Sequence, residues 1–156
     1  MSDINVGKIF RNLDRINYAA VRFSRHGSHT FISDLELSLA GGPYVQIYNE
    51  MQSIHERLEL GVLRLEIGSH PSRPEAPSVL EKMELFRNGK LLSIEALAAP
   101  GFESTSAIRL SLDCGQLVVA AAAFPCSIFV KFGDIEMQEP EYDLDKYRTL
   151  ELVKTF

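Results

Sequence analysis

Apolar and polar positions alternate most clearly between residues 106 and 132, and this segment predicts three antiparallel strands joined by two tight connections. Ile108, Leu110 and Leu112 alternate with more polar or smaller residues, which is the period of a strand with one buried face. A two-residue turn at Cys114 and Gly115 would place apolar residues opposite each other on the first two strands. The expected pairs are Leu112 with Leu117, Leu110 with Val119, and Ile108 with Ala121.

Similar patterns predict strands earlier in the chain. Residues 31–39 and 44–48 form a predicted hairpin around a turn at 40–43, and residues 58–67 form a further strand. Asn88-Gly89 indicates a second sharp hairpin, because both residues tolerate the positive φ angles of a type I′ turn. Residues 69–78 carry three prolines and predict a long loop. The apolar positions near the C-terminus, Leu150 and Leu152, fit either a last strand or a short helix.

The first 16 residues show a different period. Apolar residues at positions 6, 9, 10, 13 and 16 have the spacing of an amphipathic helix, while Ala19, Val21 and Phe23 indicate that a strand follows. We therefore expect an α+β fold that is mainly antiparallel β. In this fold one N-terminal helix packs on a meandering sheet of seven to nine strands, curled into a sandwich or partly open barrel.

Four consecutive alanines, Ala120 to Ala123, predict a shallow apolar surface on an interior strand. Close packing requires that something bulkier rests on such a surface. The candidates are the N-terminal helix, through Phe10 and Leu13, and a second copy of the chain.

Composition narrows the class of protein. A chain of 156 residues with 46% hydrophobic and 24% charged content is suited to a single globular domain spanning residues 1–156. The net charge of −5 and the scattered basic residues argue against nucleic-acid binding. The sequence shows no secretory signal pattern and no apolar run of membrane-spanning length, so we expect a cytoplasmic protein without a membrane partner.

The two cysteines are expected to be free thiols. Cys114 precedes the predicted strand 116–122 and Cys126 follows it. A strand of that length separates its ends by roughly 20 Å, which is beyond the reach of a disulfide.

Residues suited to catalysis or metal binding do not form a recognisable pattern. His26 and His29, with Asp34 as a third ligand, could hold a metal, but a second histidine pair at suitable spacing is missing. The acidic run 136–145 lacks the glycine and ligand spacing of a calcium loop. Nucleophile and nucleotide motifs are absent, and carboxylate pairs such as Glu36 with Glu66 cannot be placed from the sequence. We therefore predict neither cofactor nor metal.

The sequence favours a non-catalytic protein-interaction module that binds a partner protein and can form a homodimer. The predicted contact residues combine aromatic area with steering charge: Tyr142, Asp143, Asp145 and Tyr147. An alternative is a small-molecule carrier whose curled sheet encloses a pocket, lined by Tyr48, Phe86 and Phe129. A third hypothesis is an enzyme that uses His26, His29 or a carboxylate pair, and its most concrete version is metal-dependent.

Overall fold

In the part of the chain that the structure describes, the fold consists of ten antiparallel strands. The computed structural model describes residues 10, 13–26, 29–55, 58–68, 81–124 and 126–154. Strands make up 74% of these described residues. The strands are β1 (Arg15–His26), β2 (His29–Leu39), β3 (Tyr44–His55), β4 (Leu58–Gly68), β5 (Glu81–Ala98), β6 (Thr105–Leu112), β7 (Gly115–Ala121), β8 (Ile128–Phe132), β9 (Ile135–Met137) and β10 (Arg148–Lys154).

A single long strand joins two halves of the sheet. The strand order is β4-β3-β2-β1-β5-β6-β7-β8-β9, with β10 also paired to β5. The 18-residue β5 pairs with β1 over positions 81–90 and with β6 and β10 over positions 91–98. We call the part from β4 to the first half of β5 the first half-sheet, and the part from the second half of β5 to β10 the second half-sheet.

The two half-sheets face each other around the main core. Contacts between β4 and β6, between β3 and β7, and between β2 and β8 cross the interior. The alternate residues that point inward are almost completely buried, because each sheet covers one apolar face of the other. The largest of these buried side chains include Phe10, Ile16, Ile32, Leu35, Leu37, Ile47, Leu91, Ile94 and Ile108.

The expected α+β class with an N-terminal helix is wrong, because the protein is nearly all antiparallel β. Arg15 and Ile16, at the end of the predicted helix, already belong to β1. β1 lies inside the sheet and pairs with β2 on one side and β5 on the other, so ladder hydrogen bonds on both sides outweigh the weak helical spacing. Most of that predicted helix, residues 1–9 and 11–12, lies outside the described residues.

The hairpin predicted at Asn88-Gly89 is also wrong, since β5 runs through both residues. A type I′ turn needs positive φ at two consecutive residues. Among these two, only Asn88 has one, at 55°. A Cβ on Gly89 would lie 2.8 Å from the Phe86 ring and 2.9 Å from Leu112, so the glycine permits close packing. Asn88-Gly89 therefore marks the place where β5 passes from one half-sheet to the other.

The three strands predicted between 106 and 132 are confirmed, but the first register is shifted by two residues. The observed pairs are Leu112 with Gly115, Leu110 with Leu117, and Ile108 with Val119. The turn is formed by Asp113 and Cys114, because two hydrogen bonds fix Asp113 against Lys90. The Asp113 side chain accepts the Lys90 N–H at 2.9 Å, and the Asp113 N–H donates to the Lys90 carbonyl at 3.0 Å. A shift of two keeps the same residues facing the core.

Other elements agree with the sequence-based expectations. The hairpin of β2 and β3 and the strand β4 are confirmed. The C-terminal segment, for which strand and helix were both open, forms β10. Cys114 and Cys126 are free and exposed. The predicted proline loop at 69–78 lies outside the described residues, and within the described residues no helix has the length and apolarity to cross a bilayer.

Among the described residues, part of the alanine surface is covered by the connection between β9 and β10. Ala120 and Ala122 belong to a second apolar cluster on the outer face of the second half-sheet, against which Leu144 and Tyr147 pack. Leu144 opens a single 3-10 turn, Leu144–Lys146, in the connection between β9 and β10. The small alanine side chains leave the depth that these two larger side chains occupy.

Candidate functional site

The outer face of the first half-sheet is polar across all five of its strands. In a strand, alternate residues point to the same face, and the strand registers align these positions into rows. We call this surface the polar face; it comprises Tyr18, Ala20, Arg22, Asp34, Glu36, Ser38, Tyr44, Gln46, Tyr48, Arg64, Glu66, Lys82, Glu84 and Arg87. Three of the five tyrosines of the chain lie on it.

Asp34 is completely buried although it belongs to this outward face. Arg22, its direct neighbour on β1, donates hydrogen bonds to the carboxylate from both Nε and Nη2, at 3.0 and 2.8 Å. Gln46 on β3 adds a longer hydrogen bond of 3.4 Å. A buried carboxylate is tolerated when it is paired and hydrogen-bonded in this way. The pair holds the guanidinium of Arg22 in one orientation on the surface.

Glu36 is the second buried carboxylate, with 1% exposure. It accepts a hydrogen bond from the Tyr18 hydroxyl at 3.3 Å and lies 2.8 Å from the Lys82 ammonium. Lys82 in turn donates to the Tyr18 hydroxyl at 3.4 Å and lies 5.2 Å from the centre of the Tyr18 ring. Tyr18, Glu36 and Lys82 therefore form one connected group from three strands.

Tyr18 and Lys82 both keep their protons at neutral pH. Burial, the hydrogen bond with Tyr44 and the charge of Glu36 raise the pKa of Tyr18, against the opposing effect of Lys82. Burial acts to lower the pKa of Lys82, but the hydrogen bond and charge of Glu36 outweigh it and the pKa is raised. A general acid or base works best with a pKa near the operating pH. This pair is suited to donating hydrogen bonds and to presenting charge, and it is poorly suited to transferring protons.

A shallow cleft of about 400 Å³ opens beside this group, lined by Tyr18, Ala20, Lys82, Glu84 and Arg87. Ala20 is the smallest of these lining residues, because its side chain ends at Cβ while its neighbours are long. Solvent reaches the rim: the Arg87 side chain is 68% exposed, and Lys82 is 49% exposed. Arg87 also lies 5.6 Å from the centre of the Tyr18 ring, so the ring has two cations near it.

The opposite end of the polar face repeats the pairing of tyrosine with carboxylate. Tyr48 donates a hydrogen bond to Glu66 at 2.9 Å, and Arg64 donates to Glu50 at 3.0 Å. Glu36 and Glu66, which the sequence could not place, lie in one row with Gln46 between them. Two strand spacings put them roughly 10 Å apart. Each carboxylate is held by a tyrosine.

The four contact residues predicted from the sequence lie together in the connection between β9 and β10. The rings of Tyr142 and Tyr147 meet edge to face at 6.4 Å, and Asp143 and Asp145 are exposed beside them. Burial raises the pKa of Tyr147 to about 12. Its buried hydroxyl lies near the backbone of Tyr142 but makes no hydrogen bond of good geometry. Part of this segment therefore stabilises the fold, while its acidic side chains face solvent.

Glu141 connects the same segment to the edge of β4. Its carboxylate accepts the N–H of Gly61 at 3.1 Å, and burial raises its pKa. The buried side-chain oxygen of Asn49 has no hydrogen-bond partner among the described residues and lies on the same side of Gly61. A Cβ on Gly61 would stand 2.7 Å from that oxygen and 2.8 Å from the Glu141 carboxylate, so only glycine fits here without displacement.

The residues proposed to line a carrier pocket do not share one. Tyr48 belongs to the polar face, and Phe86 lies in the main core with its ring 5.1 Å from that of Phe132. Phe129 belongs to the second apolar cluster, on the outer face of the other half-sheet.

The histidine pair considered for metal binding falls at the closed end of the β1–β2 hairpin. His26 and His29 are directly opposite each other, and their side chains lie outside the described part. Asp34, the third ligand considered, is bound by Arg22. Among the described residues, no group of three or more histidine, cysteine or acidic side chains is placed to hold a metal ion.

Sequence reasoning missed the polar face, although a signal for it exists. Asp34, Glu36 and Ser38 alternate with buried leucines on β2, and Tyr44, Gln46 and Tyr48 alternate with buried residues on β3. The correctly predicted turn at 40–43 aligns these two polar rows across the hairpin. Tyrosine and carboxylate at matched positions on adjacent strands indicate a structured polar surface.

No model of a protein family, no curated protein and no solved structure matches the chain significantly.

Proposed function

We propose that this protein is a non-catalytic interaction module that binds a partner protein through the polar face. The observation that carries the proposal is the set of tyrosine, arginine and lysine side chains held in place by two buried carboxylates on a surface open to solvent. Tyrosine and arginine are the residues that most often dominate binding energy at protein interfaces. The acidic composition fits a cytoplasmic protein of this class.

The buried ion pairs support binding because they order the surface before a partner arrives. An interface loses free energy when mobile side chains become fixed on association. Asp34 fixes Arg22, and Glu36 fixes Tyr18 and Lys82, so these side chains have little freedom left to lose. Tyrosine adds a large contact area with only two rotatable bonds.

Two sets of variants identify the binding surface. The first set changes the polar face at its exposed rim, with Arg87→Ala and Tyr44→Ala. The second changes the sequence-predicted segment, with Tyr142→Ala and the double variant Asp143→Asn/Asp145→Asn. A partner recovered from cells by proximity labelling is purified, and its affinity for each variant is measured by calorimetry.

We expect the polar-face variants to weaken binding by about 30-fold or more, which corresponds to a hot spot of about 2 kcal/mol. Variants of the segment between β9 and β10 should change affinity less than 3-fold. Loss of binding only in that second set would move the interface to the residues predicted from sequence. Binding that survives both sets would contradict the proposal.

Self-association, which the sequence analysis expects, belongs to the same class of function.

A further inference from the structure

We propose that Asn49 and Glu141 form a proton-dependent link between the two half-sheets, in which the neutral side chain of Glu141 donates a hydrogen bond to the side-chain oxygen of Asn49. We call this pair the clasp. It forms when Glu141 takes a proton from solvent and weakens when that proton is lost. The clasp lies on the opposite side of the first half-sheet from the polar face, so it is independent of the proposed binding surface.

Asn49 and Glu141 each reach from one half-sheet to the other. Asn49 belongs to β3, and its Nδ2 donates at 2.9 Å to the carbonyl of Ser127, next to β8. Glu141 belongs to the connection between β9 and β10, and its carboxylate accepts the N–H of Gly61 on β4 at 3.1 Å. The two side chains therefore cross between the half-sheets in opposite directions.

Both side chains present an oxygen atom to the same small space beside Gly61. A Cβ on this glycine would lie 2.7 Å from Oδ1 of Asn49 and 2.8 Å from Oε1 of Glu141. The methyl group of Ala121 closes the space from β7, at 2.6 Å from the same point. The missing side chain of Gly61 is what allows the two oxygens to approach this point together.

The oxygen of Asn49 is buried and lacks a hydrogen-bond donor. Asn49 is 5% exposed, and no described residue donates to its Oδ1. The hydrogen bond to Ser127 fixes the orientation of the amide, because the reversed amide would set its oxygen against a carbonyl oxygen. A buried acceptor without a donor destabilises the native state. A donor that arrives from the side of Glu141 would remove this cost.

Glu141 is suited to supply that donor. An ionised carboxylate only accepts hydrogen bonds, whereas a protonated one carries an O–H that donates. Burial raises the pKa of Glu141, and the hydrogen bond from Gly61 opposes this rise without cancelling it. One proton therefore does two things: it removes a partly buried charge, and it gives the Asn49 oxygen its partner. The clasp is present below the raised pKa and is lost as the pH rises through it.

Neighbouring charges in the described part of the chain do not replace the proton. The residues that approach Glu141 from β3, β4 and β7 are uncharged: Asn49, Gly61 and Ala121. The charged side chains of Glu50 and Arg64 lie on the opposite side of the sheet, where they pair with each other at 3.0 Å.

The connection that carries Glu141 adds no positive charge beside it either. Tyr147 interacts electrostatically with Glu141, and its pKa of about 12 keeps it neutral over the range in which a carboxyl group titrates. The charged side chains of the connection are exposed to solvent: Glu139, Asp143, Asp145 and Lys146.

The clasp affects how firmly this connection is held on the sheet. Two backbone hydrogen bonds attach its first part to the end of β7: the Ala123 N–H donates to Glu139 at 2.8 Å, and the Glu141 N–H donates to Ala121 at 3.2 Å. The Glu141 side chain adds a tie to β4. Because Tyr142 and Asp143 follow directly, the contact residues predicted from the sequence are held more firmly when Glu141 is protonated.

Carbon-detected NMR of the uniformly labelled protein tests where the proton resides. We expect the carboxyl carbon of Glu141 and the side-chain amide carbon of Asn49 to shift together, with one midpoint above the ordinary pKa of glutamate. Asn17 is the control, because its amide also donates to a carbonyl, that of Leu39 at 3.1 Å. Its carbon should not follow that midpoint. A midpoint of Glu141 at or below the ordinary value, or an Asn49 carbon that does not move with it, would overturn the inference.

Glu141→Gln tests the consequence for the connection. The glutamine amide offers the Asn49 oxygen an N–H donor at every pH, and its own oxygen can still accept the Gly61 N–H. At pH 7 we expect a higher urea midpoint than that of the wild type. Hydrogen exchange at the backbone amides of residues 123 and 141 should slow by about 3-fold or more at the same pH.

Glu139→Gln is the matched control, since it removes one charge from an exposed position of the same connection. It should change neither the urea midpoint nor the exchange rates. A Glu141→Gln protein that is less stable than the wild type at pH 7, or an equal gain from Glu139→Gln, would contradict the clasp.

Discussion

Replacing Arg22 by methionine tests whether the polar face depends on its buried ion pairs. Methionine keeps much of the length of the side chain but removes the guanidinium. Asp34, with 0% exposure, would then lose its three hydrogen bonds from Arg22 and keep the longer 3.4 Å contact with Gln46. Removing one partner of a buried pair leaves an uncompensated charge in a region of low dielectric constant, which costs about 3–5 kcal/mol.

The expected loss is large relative to the stability of a domain, which is about 5–15 kcal/mol in total. We expect Arg22→Met to lower the free energy of unfolding by about 3–5 kcal/mol in urea titrations followed by circular dichroism. The double variant Arg22→Met/Asp34→Leu should recover most of that loss, because two apolar side chains replace the pair and leave no buried charge.

The matched control is the pair of Arg25 and Glu81, which has a longer contact of 3.3 Å and side chains that are 64% and 45% exposed. Arg25→Met removes the same group from the same strand, but exposed pairs contribute only about 0–1 kcal/mol. If Arg22→Met and Arg25→Met cost the same, or if the double variant is as unstable as Arg22→Met alone, the reasoning about buried carboxylates is refuted.

Three further predictions concern Glu141, Gly61 of β4 that contacts it, and Tyr147. Burial raises the pKa of Glu141, so between its ordinary and its raised pKa the native state binds a proton that the unfolded chain lacks. Stability should therefore increase as the pH falls through that window. Glu141→Gln should abolish this increase in urea titrations at pH 7 and pH 5. Gly61→Ala should destabilise by about 1–3 kcal/mol in thermal unfolding, because its new Cβ would lie 2.6 Å from that of Ala121, and an unchanged melting temperature would contradict this packing. Tyr147→Phe should leave the free energy of unfolding within about 0.5 kcal/mol and remove the tyrosine that ionises near pH 12 in ultraviolet titration. Tyr18→Phe should cost about 1–2 kcal/mol through its lost hydrogen bonds. Equal costs for the two variants would show that the Tyr147 hydroxyl is well paired.

Local sequence patterns predict part of the candidate site. The alternation of Asp34 and Glu36 with buried leucines places both carboxylates on one face of β2, and the turn at 40–43 places Gln46 opposite Glu36. The burial of Asp34 and Glu36 does not follow from this alternation. It depends on Arg22 from β1 and on Lys82, which lies 64 positions from Tyr18 in the chain.

The same division holds for the fold. Local alternation determined the strands β2, β3, β4 and β6 to β8, since the period of two is a property of a single segment. Only the tertiary structure decided that Asn88-Gly89 is a bend inside one strand and that Ile16 belongs to a central strand. Turn and helix signals there are weak local preferences, of about 1 kcal/mol per residue or less, and ladder hydrogen bonds to distant strands together with core burial exceed them.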